Sequence, residues 1–203
     1  MTLPIGTLGV FDKTIMKIDS LIDEKGVLEL PKDAVFEGLT FTLEKIGFNS
    51  FDNKDRLREL RIPSTIRNIE WCFYECFNLE RIVVDEENPN YSSVDGVLYS
   101  KDHKQLIAYP NAHGEEYHVI DGTKEIAHFA FKTCKDVKVI YLPDSLRKID
   151  INAFYRCSNL AKVFLPDNIR SVGHATQNSN YEFMYVYRGK EYTHRDILEL
   201  LPE

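Results

Sequence analysis

"KIDINAFYRCSNLAKVFLPDNI", Lys148 to Ile169, lies one residue after "EIAHFAFKTCKDVKVIYLPDSL", Glu125 to Leu146, and the two nearly coincide. Aligned on their phenylalanines, the first copy places Ile126, Phe131, Cys134, Val137, Ile140, Leu142 and Pro143. The second places Ile149, Phe154, Cys157, Leu160, Val163, Leu165 and Pro166 at the same offsets. Two more copies lie upstream: Ile46, Phe51, Leu57, Leu60, Ile62, Pro63, and Ile69, Phe73, Cys76, Leu79, Ile82, Val84. A fifth begins at Val172-Gly173 and breaks off. The step is 23 residues from Ile46 to Ile69 and again from Ile126 to Ile149, but 57 from Ile69 to Ile126, so an extra unit is inserted there. Neither helical nor strand periodicity holds through a whole copy. A fixed longer period is the mark of a solenoid, in which each coil lays the same side chains into a core shared with its neighbours.

Within a copy, Leu-x-x-Ile-x-Leu-Pro alternates, which predicts a short strand ended by a proline that cannot donate to a ladder. Successive strands should stack in parallel about 4.8 Å apart. The Ile-x4-Phe-x2-Cys arm is expected to return by a short helical or irregular turn. Phe51, Phe73, Phe131 and Phe154 should form one buried column. The insertion predicts a hairpin, "VDGVLYS" and "KQLIAY" around "KDHK", with re-entry at "YHVI". In the tail, "MYVY" and "KEYT" flank Arg188-Gly189 as a second hairpin. Thr193 with Asp196 fits a capping box ahead of Ile197, Leu200 and Leu201. Near the start, Phe11, Ile15, Ile18 and Ile22 share one helical face that Gly26 would end.

The pattern I-x4-F-x2-C-x2-L-x2-I-x-L-P resembles the leucine-rich repeats of the BspA-like (treponemal) family. "NPNYSSVDGVLYSKDHKQLIAYP", Asn88 to Pro110, is similar to that family's inserted unit, and "YVYRGKEYTHRDILELL", Tyr185 to Leu201, to a segment that follows such repeats. The resemblance implies a right-handed superhelix, bacterial surface location, and a role in adhesion or protein binding. The expected fold is a β-rich α/β solenoid with short parallel strands. Residues 1–43 form an N-terminal cap region, 44–180 the repeats with an inserted hairpin unit at 85–120, and 181–203 a capping hairpin and helix.

The 203 residues carry 25 Lys and Arg against 32 Asp and Glu, interspersed, for a net charge of -7. That lacks the clustered cations of a nucleic-acid footprint. "MTLPIGTLGVF" is too short to span a bilayer and has no basic start, so the sequence alone reads as cytoplasmic or as a mature fragment, against the surface location of the resembling family. Four cysteines are too few for a disulfide scaffold at this length. Three of them, Cys76, Cys134 and Cys157, share one repeat position and read as a column of small buried groups. The six histidines show no zinc-finger spacing, and "DEENPN", Asp85 to Asn90, lacks the EF-hand pattern and reads as an acidic turn. Ser92, Ser93, Asp95 and His118 all fall in the insertion, but no nucleophile signature surrounds them. No cofactor and no metal are expected, and the chain reads as non-enzymatic.

The candidate site is on the strands. The residue between the last two apolar positions points away from the core. That column reads Arg61, Val83, His118, Tyr141, Phe164, and its neighbour Glu59, Arg81, Glu116, Val139, Lys162. Val139, Tyr141 and Phe164 are apolar where a repeat requires nothing apolar. With Arg61, Arg81, Val83 and Lys162 they make a candidate ligand face for a protein or glycan. Trp71, the single tryptophan, is a further candidate. The alternatives are a structural spacer in a larger cell-envelope assembly, and an enzyme housed in 85–120.

Overall fold

The structure, a computed structural model, describes residues 6–7, 21–36, 39–48, 50–70, 72–73, 75–174 and 183–201. The expected helix through Phe11, Ile15 and Ile18 lies outside them. Two compact units divide the chain, Met1–Lys101 and Asp102–Glu203.

The first unit contains β1 (Gly6–Thr7), β2 (Val27–Glu29), β3 (Asp33–Phe36), β4 (Leu39–Ile46), β5 (Glu59–Ile62), β6 (Asn68–Ile69), β7 (Arg81–Val84), β8 (Tyr91–Val94) and β9 (Val97–Ser100). β2, β5 and β7 form a parallel ladder in which Leu28, Leu60 and Ile82 are register partners, each fully buried. The parallel ladder thus starts at Val27, one coil before the first copy visible in the sequence. Gly26, at φ 83°, turns the chain into it, and a Cβ there would sit 2.5 Å from the Arg56 carbonyl oxygen. On the opposite side of the coil β4 pairs in parallel with β6, Ile46 beside Ile69. β8 and β9 form an antiparallel hairpin. Its turn is Asp95-Gly96, at φ 49° and 81°, so "VDGVLYS" is not one strand. Asp-Gly between two apolar runs is a strong hairpin signal, because both turn residues need positive φ. Lys101–His103 is also a turn, with His103 at φ 59°.

The second unit contains β10 (Gln105–Ala108), β11 (Glu116–His118), β12 (Glu125–Ile126), β13 (Val139–Tyr141), β14 (Lys148–Ile149), β15 (Lys162–Phe164), β16 (Ser171–Val172), β17 (Met184–Tyr187), β18 (Lys190–Tyr192) and α1 (His194–Leu200). β11, β13, β15 and β17 run in parallel, and β18 closes the edge antiparallel. Re-entry at "YHVI" and the hairpin at Arg188-Gly189 are as the sequence indicates. β10, β12, β14 and β16 make a second parallel ladder at the start of each arm. Here the expectation of a helical or irregular arm is corrected. The arm opens with a two-residue strand, too short to show any periodicity, and then proceeds by turns. Coil-to-coil hydrogen bonds continue past the strands, with Phe131 N donating to Ala153 O and Thr133 N to Tyr155 O, both at 2.8 Å.

The arm turns share one backbone device. The residue two places after each repeat phenylalanine takes the left-handed conformation: Asn53 at φ 58°, Glu75 at 57°, Thr133 at 61° and Arg156 at 57°. For a residue with a Cβ this costs about 1–2 kcal/mol. It recurs in coil after coil at one position, so it belongs to the architecture and not to a local site. Thr133, the β-branched case, is held by hydrogen bonds to Lys132 O and from Asn111 Nδ2, at 2.7 and 3.0 Å.

Phe51, Phe131 and Phe154 are at most 1% exposed. Phe73, at ring distance 5.6 Å from Phe51, is only half-buried. In the second unit the aromatic column is longer than Phe131 and Phe154 alone. Tyr109 stacks on Phe131 at 4.9 Å, Phe131 and Phe154 meet tilted at 5.3 Å, and Phe183 meets Phe154 edge-on at 5.4 Å. The repeat cysteines are buried free thiols. Each donates to a backbone carbonyl of the preceding coil: Cys76 to Phe51 O at 2.7 Å, Cys134 to Tyr109 O at 3.6 Å, Cys157 to Phe131 O at 2.7 Å. Burial pushes the Cys76 thiol up to about 12 and raises Cys134 as well, which keeps both as donors rather than thiolates. Asn78 and Asn159, one residue before the repeat leucine, bridge coils the same way, to Asp55 O and Lys135 O at 2.7 Å.

Thr193 and Asp196 form the expected capping box, and Ile197 is fully buried, although Leu200 is 47% exposed. His194, the first residue of α1, packs on buried Tyr185, whose hydroxyl lies 3.3 Å from Nδ1. Burial, with His174 nearby, depresses its pKa from 6.5 to about 4.

Phe154→Ala should destabilise the protein by about 3–5 kcal/mol through the cavity it leaves. A loss under about 1 kcal/mol in denaturant unfolding would show that the phenylalanine column is not the core. His194 is neutral when folded and protonates more readily unfolded, so its contribution is full above about pH 6.5 and is lost as pH falls toward about 4. The difference in melting temperature between wild type and His194→Gln should therefore change across that window and be flat below it.

Candidate binding face

In the first unit, register sets Glu29, Arg61 and Val83 in one outward column and Val27, Glu59 and Arg81 in the next. This surface is ionic. Arg61 pairs with Glu59 at 2.7 Å and Glu29 at 3.6 Å, and Arg81 reaches Glu59 at 3.6 Å. Glu59 holds the Arg61 guanidinium above its ordinary pKa. The two arginines are thus engaged by carboxylates of their own ladder, with half-buried Val83 beside them.

The second unit differs. Its columns are Glu116, Val139, Lys162, Met184 and His118, Tyr141, Phe164, Val186. The rings of the latter stack almost parallel: His118 on Tyr141 at 4.3 Å and 8°, Tyr141 on Phe164 at 4.6 Å and 13°. Strand spacing sets that distance, because side chains at one register position stand side by side across a parallel ladder. Val139, Tyr141, Phe164, Met184 and Val186 are half-buried, none fully. β17 and β18 extend the sheet edgewise and do not lie over it. Met184 and Val186 therefore lengthen the apolar patch that the repeats alone suggested, and the alternation in "MYVY" carries that signal. Lys162 Nζ pairs with Glu191 of β18 at 2.6 Å, and His118 Nε2 lies 2.9 Å from Glu116.

Among the sequence candidates, Val139, Tyr141, Lys162 and Phe164 come together on this face, and Arg61, Arg81 and Val83 come together in the first unit. Trp71 lies outside the described residues. Sequence reasoning left out Met184, Val186 and Glu191.

The chemical candidates have structural partners. The Ser92 hydroxyl donates to Ser100 O at 3.1 Å, and Ser93 Oγ accepts from Val84 N at 3.1 Å. In "DEENPN", Asp85 accepts from Glu87 N at 2.9 Å. Asn88 is fully buried; its amide donates to Pro63 O and Ile66 O, and its oxygen accepts from Asn90 N and Tyr91 N. Among the described residues no cluster of His, Cys, Asp and Glu is placed to hold a metal, and no helix is long and apolar enough to cross a membrane.

Comparison with known proteins gives one consistent result. The family described as BspA type leucine-rich repeat region matches in six copies over residues 36–101 and 108–189. A leucine-rich repeat protein from Eubacterium ventriosum is 29% identical, with TM-score 0.54, over 58% of this chain and 32% of its own. The pneumococcal vaccine antigen PcpA is 27% identical, with TM-score 0.57, over 71% of this chain and 40% of its own. The matched stretches thus cover less than half the length of either. No curated protein matches.

The stacked rings are held by cross-strand contacts worth about 0.2–1 kcal/mol each, not by core burial. Tyr141→Ala with Phe164→Ala should cost about 1–3 kcal/mol and leave a cooperative fold. Loss of the unfolding transition at 25 °C would make these rings core rather than face.

Proposed function

The chain belongs to the BspA-type leucine-rich repeat family, and from that premise we propose that it is a non-catalytic binding module that works in adhesion, with the second unit's strand face as its site. One observation carries the reading. Tyr141, Phe164 and Val139, extended by Met184 and Val186, form a continuous apolar strip on the outward side of a sheet whose folding needs nothing apolar there. Contiguous apolar surface rimmed by charge is typical of interaction sites. Tyrosine is among the residue types most often found as hot spots. A face built on paired strands is already ordered, so little entropy is lost on binding. The ligand class is a protein or a glycan presented at a cell surface, and the module's own place is the bacterial surface. Residues 181–203 act as the cap: β17 pairs onto β15, β18 pairs onto β17, and the edge of β15 is spared open exposure.

The test is binding of wild type and the Tyr141→Ala, Phe164→Ala variant to a glycan array and to a panel of cell-surface ectodomains. The reading expects at least one partner whose binding falls tenfold or more in the folded variant. A partner bound equally by both would move the site elsewhere on the chain. Wild type that binds nothing on either panel would favour the structural-spacer reading.

A further inference from the structure

In the second unit the corner that follows β11 and β13 forms a pocket of about 370 Å³ at their carboxyl ends. His118 and Tyr141 line it on the face side, Ile120, Leu142 and Pro143 form the apolar floor, and Asp121 is the carboxylate at its margin. Asp121 is exposed, and among the described residues its carboxylate has no ion pair or side-chain hydrogen bond.

The first unit supplies its own comparison. The recess at the corresponding strand ends, about 690 Å³, also has a proline floor and carboxylates, Glu29 and Asp85 among them. There the chain provides the cations itself, with Arg61 on Glu29 at 3.6 Å and Lys32 on Asp85 at 3.8 Å. In the second unit the strand position of Arg61 is held by an aromatic ring. Among the described residues the pocket therefore has a carboxylate and two stacked rings, but no lysine or arginine lines it.

We propose that this pocket receives an arginine side chain of a partner polypeptide. This rests on the binding-module reading and narrows its partner to a protein with an exposed arginine. A guanidinium fits each component. Its planar fork pairs with a carboxylate, its weakly hydrated face packs on the exposed His118 ring, since Tyr141 is covered on both faces by His118 and Phe164 and offers only its edge, and its methylene stem lies on apolar surface such as Ile120 and Leu142. A lysine ammonium, compact and strongly hydrated, would meet the carboxylate but gain less from the rings.

The experiment titrates the full chain with the capped tripeptide acetyl-Gly-Arg-Gly-amide, followed by NMR of the His118, Asp121 and Tyr141 resonances. The uncharged isostere acetyl-Gly-citrulline-Gly-amide is the control ligand. The expected result is a saturable shift confined to the pocket, at least fivefold weaker for citrulline. Asp121→Asn should weaken it at least fivefold, while Asp55→Asn, which removes the same charge from the other unit, leaves it unchanged. Citrulline binding as tightly as arginine, equal effects of Asp121→Asn and Asp55→Asn, or no saturable shift would each overturn the proposal. Those failures leave the array result with Tyr141→Ala, Phe164→Ala untouched. Conversely, pocket binding of arginine with no partner bound on either array would count against the adhesion reading while sustaining this site.

Discussion

No coil of this chain can bury its own apolar residues, and that constraint shapes the rest. A unit of 23 residues contributes one side of a core, and the other side must come from the next coil. Stacking therefore has to be exact in register. Two parallel ladders in the second unit enforce it, one at each side of the coil. Phe131, Phe154 and Tyr109 then meet ring to ring between them. The cysteine and asparagine side chains add one coil-to-coil bond each where the arm leaves the strands. The left-handed residues after each phenylalanine are the cost of closing so short a circuit. Burial of the phenylalanine, worth about 1.5–3 kcal/mol in transfer alone, offsets it.

The same register governs the outer face. Whatever side chain stands at the outward strand position is brought within ring-stacking distance of its equivalent in the next coil. In the first unit the corresponding residues are Glu29, Arg61 and Val83, with Glu59 and Arg81 beside them, and the result is a ladder of ion pairs. In the second they are His118, Tyr141 and Phe164, and the result is a stack of rings. One backbone thus yields two chemically different surfaces, and the difference lies in a few residues that the core does not use. A repeat protein can change its partner in this way without changing its fold.

Much of this was legible in the sequence, for physical reasons that also explain the gaps. The strands, their register and the outward columns follow from apolar positions recurring at fixed offsets, so Tyr141 and Phe164 could be placed beside each other from spacing alone. The tail's capping box and hairpin carry their own local signals in Thr193, Asp196 and Arg188-Gly189. The second ladder was not legible, because two-residue strands such as Lys148–Ile149 have no periodicity to read. Neither was the coil at Val27–Glu29, whose arm lacks the repeat phenylalanine. Tyr109 was missed because it performs phenylalanine's task in a unit that matches the pattern poorly. The extension of the face to Met184 and Val186 became visible only once β17 was seen to pair with β15. Asp121 carries no sequence signal, since its meaning depends on the first unit having Arg61 and Lys32 at its own corner, where the described lining of the second unit's pocket has no lysine or arginine.

Coil stacking in fixed register is most directly tested by thermal unfolding of two internal deletions. Removing residues 125–147 joins Lys124 to Lys148 and excises one whole coil while preserving the pairing of both ladders. Removing residues 125–136 excises about half a coil and breaks both. The account predicts a single cooperative transition for the first variant, at a reduced melting temperature, and none for the second. Equal behaviour of the two would contradict it.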